Sequence, residues 1–200
     1  MPGRCWIRAT RNARADCPLL RCWGIIRPMN ETAQIIRDPA LAPAAVGAIR
    51  QARLDDVTDI HRLLTHYASL ERLLPRAEPD IYQSLREFVV AERDSRVVGC
   101  ASLQIFTRDL GEVRSLAVDP DATGMRIGSR LVRALEEDAR RLGLSRLMAL
   151  TYEVSFFNRM GYEVVEMKVL PEKVWGACIN CPKFRNCDEI AVLKYLSATE

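Results

Sequence analysis

The chain has 200 residues, 48% hydrophobic and 28% charged, with a net charge of +3, which is room for one α/β domain of about 150 residues and a tail. No apolar run approaches the ~20 residues that cross a bilayer, which argues against a membrane partner. The positive charge sits in residues 1–29, with six Arg and one Asp, so the remainder is slightly acidic and gives no argument for nucleic-acid binding.

Residues 1–47 show no sustained periodicity and carry Pro28, Pro39 and Pro43, so a disordered N-terminal extension is expected there. Its Arg-rich, acid-poor start fits either an organellar transit peptide or a stretch upstream of a true start at Met29. Residues 48–198 are expected to form the folded domain. Ala48 to Arg53 reads as a first strand. Asp55 and Asp56 then cap a helix with Val57, Ile60, Leu63, Leu64 and Tyr67 on one face. A second helix is expected over about 79–88, then a hairpin of strands 88–92 and 97–107 around Arg93-Asp94-Ser95-Arg96. Gly111 separates this hairpin from a strand at 113–118, which Asp119-Pro120-Asp121 ends.

From Ser129 the residues Val132, Leu135, Ala139 and Leu142 recur at helical spacing, with Glu136/Arg140 and Glu137/Arg141 as i,i+4 pairs on the opposite face and Gly143 as the stop. The rest reads as a strand (147–152), a short helix (155–160) stopped by Gly161, a strand (162–166), a loop holding the late cysteines, and a last strand (190–196). The whole is a mixed α/β chain, one central mixed sheet flanked by helices. Between the 113–118 strand and the long helix lie Thr123, Gly124, Met125, Arg126, Ile127 and Gly128. Such a loop either turns the chain and nothing more, or aims unsatisfied amides and a helix dipole at an anion.

Seven cysteines fall in three groups: Cys5, Cys17 and Cys22; Cys100; and Cys178, Cys181 and Cys187. With no secretory signal legible, free thiols in a reducing, cytoplasmic setting are expected. Cys178-x2-Cys181-x5-Cys187 resembles half a zinc knuckle, but tetrahedral closure needs a fourth ligand, so these three are weak metal candidates beside a redox-sensitive pair or plain buried thiols, and no obligatory metal is expected. His61 and His66 read as polar surface residues.

From Arg50 to Leu196 the order of elements resembles the GNAT superfamily of N-acetyltransferases, whose central strand–loop–helix carries a Q/R-x-x-G-x-G/A signature for the pyrophosphate of acetyl-CoA. Gly124 and Gly128 match that signature; Thr123 stands for Gln/Arg and Arg126 for the middle Gly. If that middle position needs a positive φ, Arg costs on the order of 1 kcal/mol. Glu112-Val113-Arg114-Ser115-Leu116-Ala117-Val118, Leu150-Thr151-Tyr152-Glu153 with Phe156-Phe157, Gly161-Tyr162, Pro171-Glu172-Lys173-Val174-Trp175 and Cys178-x-x-Cys181-Pro182-Lys183-Phe184 are similar to the short, single-domain N-acetylglutamate synthases of arginine biosynthesis.

The resemblance implies acetyl-CoA as cosubstrate and attack of a free α-amine on its thioester, the acceptor being glutamate or glutamine. Leu116, Ala117 and Val118 would offer backbone amides to the carbonyl. Thr123 to Gly128 and Ser129 would hold phosphate. Glu112 would be the general base, or else a solvated strand-end carboxylate, with Glu153 behind it. The family's Tyr general acid falls at Phe157, which leaves Tyr152 as substitute. An acceptor with two carboxylates needs cations: Arg114 and Arg76, with Lys173 third. Arg114 could equally be neutralised by Glu112. A protein N-terminus or other small amine, and a non-catalytic acyl-CoA- or metal-binding regulator, remain open. A small-molecule partner is expected, with a homodimer left open.

Overall fold

The computed structural model describes residues 47–197; the expected extension and the start at Met29 lie outside the described residues, Gly47 excepted. The strands are β1 (Ile49–Gln51), β2 (Phe88–Arg93), β3 (Arg96–Ile105), β4 (Leu110–Val118), β5 (Arg146–Thr151), β6 (Glu163–Val164) and β7 (Ile190–Tyr195). The helices are α1 (Val57–Ser69), α2 (Glu78–Gln83), α3 (Ile127–Arg141), α4 (Val154–Arg159) and α5 (Pro171–Gly176). The strands form one sheet in the order β1-β2-β3-β4-β5-β7-β6. Every pairing is antiparallel except β4 with β5. Among the described residues no helix is long and apolar enough to cross a membrane.

Side-chain alternation along β2 explains why helices cover both faces of the sheet. Phe88 and Val90 pack into a core with Val57, Ile60, Leu63 and Leu64 of α1. Val89 and Ala91 face the other way, into a core with Ile127, Leu131 and Leu135 of α3. The α1 face read from the sequence is therefore the buried one.

Several boundaries differ from the sequence reading. Gly111 lies inside β4 rather than between strands. A Cβ there would stand 2.9 Å from Leu144 and 3.0 Å from both Leu103 and Leu147, so the glycine serves packing, not a turn. α3 starts at Ile127, two residues before Ser129. The expected exposed charge ladder on α3 is partly inward: Glu136 is 4% exposed and takes Lys194 Nζ at 2.8 and 2.9 Å, with Arg140 at 3.7 Å, while Arg141 pairs with Asp138 at 3.1 Å rather than with Glu137. The stretch read as a cysteine loop contains α5, which has Pro171 at its start, and 3-10 turns at Cys178–Asn180 and Phe184–Asn186. A six-residue helix is too short to show a period.

α5 is tied to the sheet by a buried ion pair, Lys173 Nζ to Glu112 Oε2 at 2.8 Å, both side chains no more than 6% exposed. Arg146 holds the start of the same helix through Glu172 at 3.1 Å. Arg126 precedes α3 with φ 57° and ψ 22°, a left-handed conformation that a Cβ disfavours.

Two outcomes follow from these contacts. Lys173→Ala should lower the unfolding free energy by about 3–5 kcal/mol, since it strands a buried carboxylate, whereas Glu112→Leu with Lys173→Met should lose less. Chemical denaturation measures both, and a single-variant loss below about 1 kcal/mol would contradict the pairing energetics. Arg126→Gly, by releasing the left-handed strain, should raise stability by about 0.5–1 kcal/mol in the same measurement, where a fall would show the strain to be absent.

Candidate active site

β4 and β5 are paired only from Leu110 to Glu112, opposite Arg146 to Met148. Beyond Glu112 the two strands part, although both continue: β4 to Val118 and β5 to Thr151. A bulge in β4 accompanies the parting. Cys100 faces Ala117 and Ser102 faces Arg114, so β4 carries one residue more than β3 over this stretch, and Ser115 adopts φ 51°. The gap between the strands is a cleft of about 1830 Å³. Leu116 and Val118 line it, while Ala117 is buried on the other face against α1. The edge of β4 that faces the gap has no neighbouring strand from Val113 onward, which leaves backbone donors and acceptors for a ligand.

At the β4 end of the cleft, the Asp119 side chain accepts from the Asp121 N–H and closes a 3-10 turn at Pro120–Ala122. Thr123 then leads into Gly124, whose φ of +86° requires glycine although nothing lies within 4 Å of a built Cβ. Among the described residues no acceptor takes the N–H groups of Gly124, Met125 or Arg126, and those of Ile127, Gly128 and Ser129 open α3 without a side-chain cap. The first turn of α3 carries no acid. A row of free amides thus meets the positive end of a 15-residue helix, an arrangement that favours an anion. At Gly128 a Cβ would touch Phe156 at 3.5 Å, ordinary contact, which explains why a G/A alternative suits this position. Thr123 through Ser129 all line the cleft.

At the fork itself, Glu112 is 3% exposed, so it is not a solvated strand end. It meets Lys173 at 2.8 Å and Arg114 Nε at 3.5 Å. Arg114 also donates to Gln104 Oε1. Arg76 reaches in from the segment before α2, donating to Ser84 Oγ at 2.8 Å and Ser115 Oγ at 3.3 Å, with its guanidinium over the Phe88 ring at 5.4 Å. Burial, and then the charge of Arg114, pull the Arg76 pKa below its ordinary value. Among the described residues Arg76 has no carboxylate in salt-bridge contact. Arg76 and Arg114 lie within electrostatic range of each other, Glu112 pairs with Arg114, and the Glu87 carboxylate acts on both guanidiniums from outside salt-bridge distance; guanidiniums so placed can receive the carboxylate of a ligand.

Tyr152 stands at the end of β5. Its hydroxyl donates to Asp188 Oδ1 at 2.6 Å and receives Lys183 Nζ at 3.4 Å. The bond to Asp188 pushes the Tyr152 pKa up. Its ring lies 5.2 Å from the Arg72 guanidinium and 5.8 Å from Lys183 Nζ. Arg72 also pairs with Glu153, and Lys183 reaches the Glu71 carbonyl at 3.5 Å. These contacts join the segment after α1 to the far side of the fork and bridge the cleft. Phe157 is buried against Phe156 and Tyr162, ring centroids 5.1 Å apart, and offers no proton.

Cys178, Cys181 and Cys187 line the cleft as free thiols, and burial raises the Cys178 pKa. Among the described residues no group of three or more His, Cys, Asp or Glu side chains could hold a metal ion, so the knuckle-like spacing does not gather its cysteines into a site. Sequence reasoning assigned no role to Tyr67, whose hydroxyl donates to the Val118 carbonyl at 2.6 Å, or to Arg72, Lys183 and Glu189. Burial, and then the charge of Glu112, raise the Glu189 pKa, which makes it a second carboxylate at the fork. Only the short distance of Lys183 and Glu189 from the cysteine motif could have drawn attention to them.

The acetyltransferase (GNAT) family model matches residues 54–162. The chain is 39% identical over 154 residues to an uncharacterized N-acetyltransferase of Chlorobaculum tepidum, covering 77% of this chain and 99% of that protein. It is 41% identical over 121 residues to the amino-acid acetyltransferase of Mycobacterium tuberculosis, covering 59% of this chain and 69% of that one. Among solved structures, it is similar to N-acetylglutamate synthase from Neisseria gonorrhoeae complexed with coenzyme A and N-acetyl-glutamate, with 27% identity and a TM-score of 0.67 over 78% of this chain and 36% of that one. The free amides of Gly124 to Ser129 and the open edge of β4 fit a long thioester that carries phosphate at one end, and acetyl-CoA is the cosubstrate. By its matched residues and its fold, the chain belongs to the GNAT family of N-acetyltransferases.

Proposed function

We propose that this N-acetyltransferase acts on the α-amine of a free amino acid, L-glutamate or L-glutamine, as the first step of arginine biosynthesis in the cytoplasm. The observation that carries the reading is the proximity of Arg76 and Arg114 at the fork, with no carboxylate in salt-bridge contact with Arg76 among the described residues and Glu87 and Asp80 acting on it only at longer range. An amino acid brings a carboxylate that can bond Arg76 directly, and a guanidinium matches a carboxylate with two parallel bonds. The names of the relatives agree: one is an amino-acid acetyltransferase and another an N-acetylglutamate synthase.

Acetyl-CoA supplies the acetyl group already activated as a thioester. The protein's part is to place and to deprotonate. Amides on the open edge of β4 beside Leu116 and Val118 orient the carbonyl and favour negative charge on its oxygen. Arg114 and Arg76 hold acceptor carboxylates, so that the amine faces the thioester carbon. Glu112, at the fork beside Arg114, takes a proton from the amine directly or through water, and Lys173 holds its carboxylate in place. Tyr152 Oη, which here donates to Asp188, gives up that bond to pass its proton to the departing thiolate, and Lys183 beside it balances the phenolate left behind.

The bridge of Arg72, Tyr152 and Lys183 across the cleft favours a compact acceptor over a polypeptide N-terminus. Thiol release measured with glutamate, glutamine and a peptide side by side tests the choice. Turnover with one or both amino acids and little with the peptide is expected; no turnover with any free amino acid would overturn the reading. Arg114→Ala should raise the acceptor KM by about 10- to 100-fold, the worth of one charged hydrogen bond, and leave the KM for acetyl-CoA within about twofold. Equal effects on both would remove Arg114 from the acceptor site.

A further inference from the structure

The cation content of the cleft exceeds what the phosphate loop needs. Arg126 and Arg133 stand seven residues apart along α3, two helical turns, on one face with Arg130 between them. Arg159, in the last turn of α4, lines the same cleft. Among the described residues the guanidiniums of Arg126, Arg133 and Arg159 have no hydrogen-bond or ion-pair partner; Arg130 donates to the Gly47 carbonyl at 2.6 Å.

The acids of the cleft lie elsewhere. Those that line it are Glu112, Glu153 and Glu189. Glu112 is bound to Lys173, Glu153 to Arg72, and Glu189 sits near Glu112. On the wall built by α3 and α4, Arg133 and Arg159 therefore have no ion-pair partner among the described residues, in a cleft that focuses their field.

Position separates these cations from the loop. At about 1.5 Å of rise per residue, Arg133 lies about 9 Å along α3 from Ile127, past the amides that receive a diphosphate. A diphosphate seated on the loop is satisfied by backbone N–H groups and by Arg126. Arg133 and Arg159 are left for a second anion further from the thioester, and coenzyme A has one: the phosphomonoester on its ribose.

We infer that Arg133 and Arg159 form a phosphomonoester subsite that selects 3′-phosphorylated coenzyme A over its dephosphorylated form. The inference rests on coenzyme A occupying the cleft, and it assigns a role to two residues outside the signature loop. A phosphomonoester carries nearly two negative charges at neutral pH, and guanidinium forks match its oxygens bidentately. Because both arginines are exposed, the selectivity is screened by salt.

Calorimetric titration of the full chain with coenzyme A and with 3′-dephospho-coenzyme A tests the subsite. The wild-type chain should bind coenzyme A tighter by about 10- to 100-fold at low salt, the margin shrinking as salt is raised. The Arg133→Ala/Arg159→Ala chain should bind both forms with the affinity that the wild type has for the dephospho form. Equal wild-type affinities for the two forms would overturn the subsite, as would a double variant that weakens both forms alike. Failure of the wild-type chain to bind either form would instead strike at coenzyme A as the ligand. Arg133→Lys/Arg159→Lys should retain part of the selectivity, and a complete loss there with a native unfolding midpoint would show that positive charge is not what selects.

Discussion

The cleft exists because one strand pairing stops. β4 and β5 are hydrogen-bonded over three residue pairs and then diverge, although each has backbone left to pair. Unpaired backbone groups would cost about 1–3 kcal/mol each if buried without partners. The open edge is tolerable only because it faces a solvent-filled gap, and it is useful because a ligand can complete it. The bulge at Ser115 turns β4 away from β5 beyond the fork. Gly111 does the opposite below the fork: its missing side chain lets Leu103, Leu144 and Leu147 close tightly where the strands still pair. The parting is thus held from both sides.

Charge is divided along the cleft in a way that follows from this geometry. At the fork the charged groups are paired: Glu112 with Lys173, both buried, and the half-buried Arg114 with Glu112 and Gln104. A buried ion pair is a weak source of net stability, but it fixes position, because moving either partner exposes an uncompensated charge to low dielectric. Toward the loop the walls separate, and anion binding passes to backbone amides, which lose no side-chain entropy on binding. Rigid charges serve the reacting end, and fixed dipoles serve the handle.

The sheet and the helices were legible in the sequence because each leaves a local signal. α1 shows its period in Val57, Ile60, Leu63 and Leu64, and α3 in Val132, Leu135 and Ala139; Leu142, read on the same face, caps the helix and is exposed, while the buried Leu131 was not singled out. The parallel join of β4 to β5 follows from a strand–helix–strand order. What escaped was tertiary. α5 is too short for a period, and its Lys173 gains meaning only when the fold sets it 61 residues from its partner Glu112. Glu136 reads as one rung of a surface ladder, and only the placement of Lys194 on β7 shows it facing inward. Gly111 resembles a turn because sequence does not distinguish a glycine needed for φ from one needed for room. The same limit applies to Arg76 and Arg114, whose proximity no spacing announces.

Backbone strain marks the cleft independently of any motif. Among the described residues five non-glycine residues have positive φ: Glu71, Asp94, Ser95, Ser115 and Arg126. Asp94 and Ser95 are accounted for locally, since two consecutive left-handed residues make the tight turn that joins β2 to β3. Glu71 is also accounted for locally: it follows Leu70, the C-cap of α1, where the Arg72 N–H bonds the Tyr67 carbonyl at 2.9 Å and the Glu71 N–H bonds the Ala68 carbonyl at 3.0 Å, a left-handed helix ending. The other two line the cleft: Ser115 is the bulge that opens it, and Arg126 sits among the free amides before α3. Each costs on the order of 1 kcal/mol that packing elsewhere must offset. Strain of that size, found at Ser115 and Arg126 once the hairpin and the end of α1 are set aside, is what a fold carries when ligand geometry rather than stability decides the backbone.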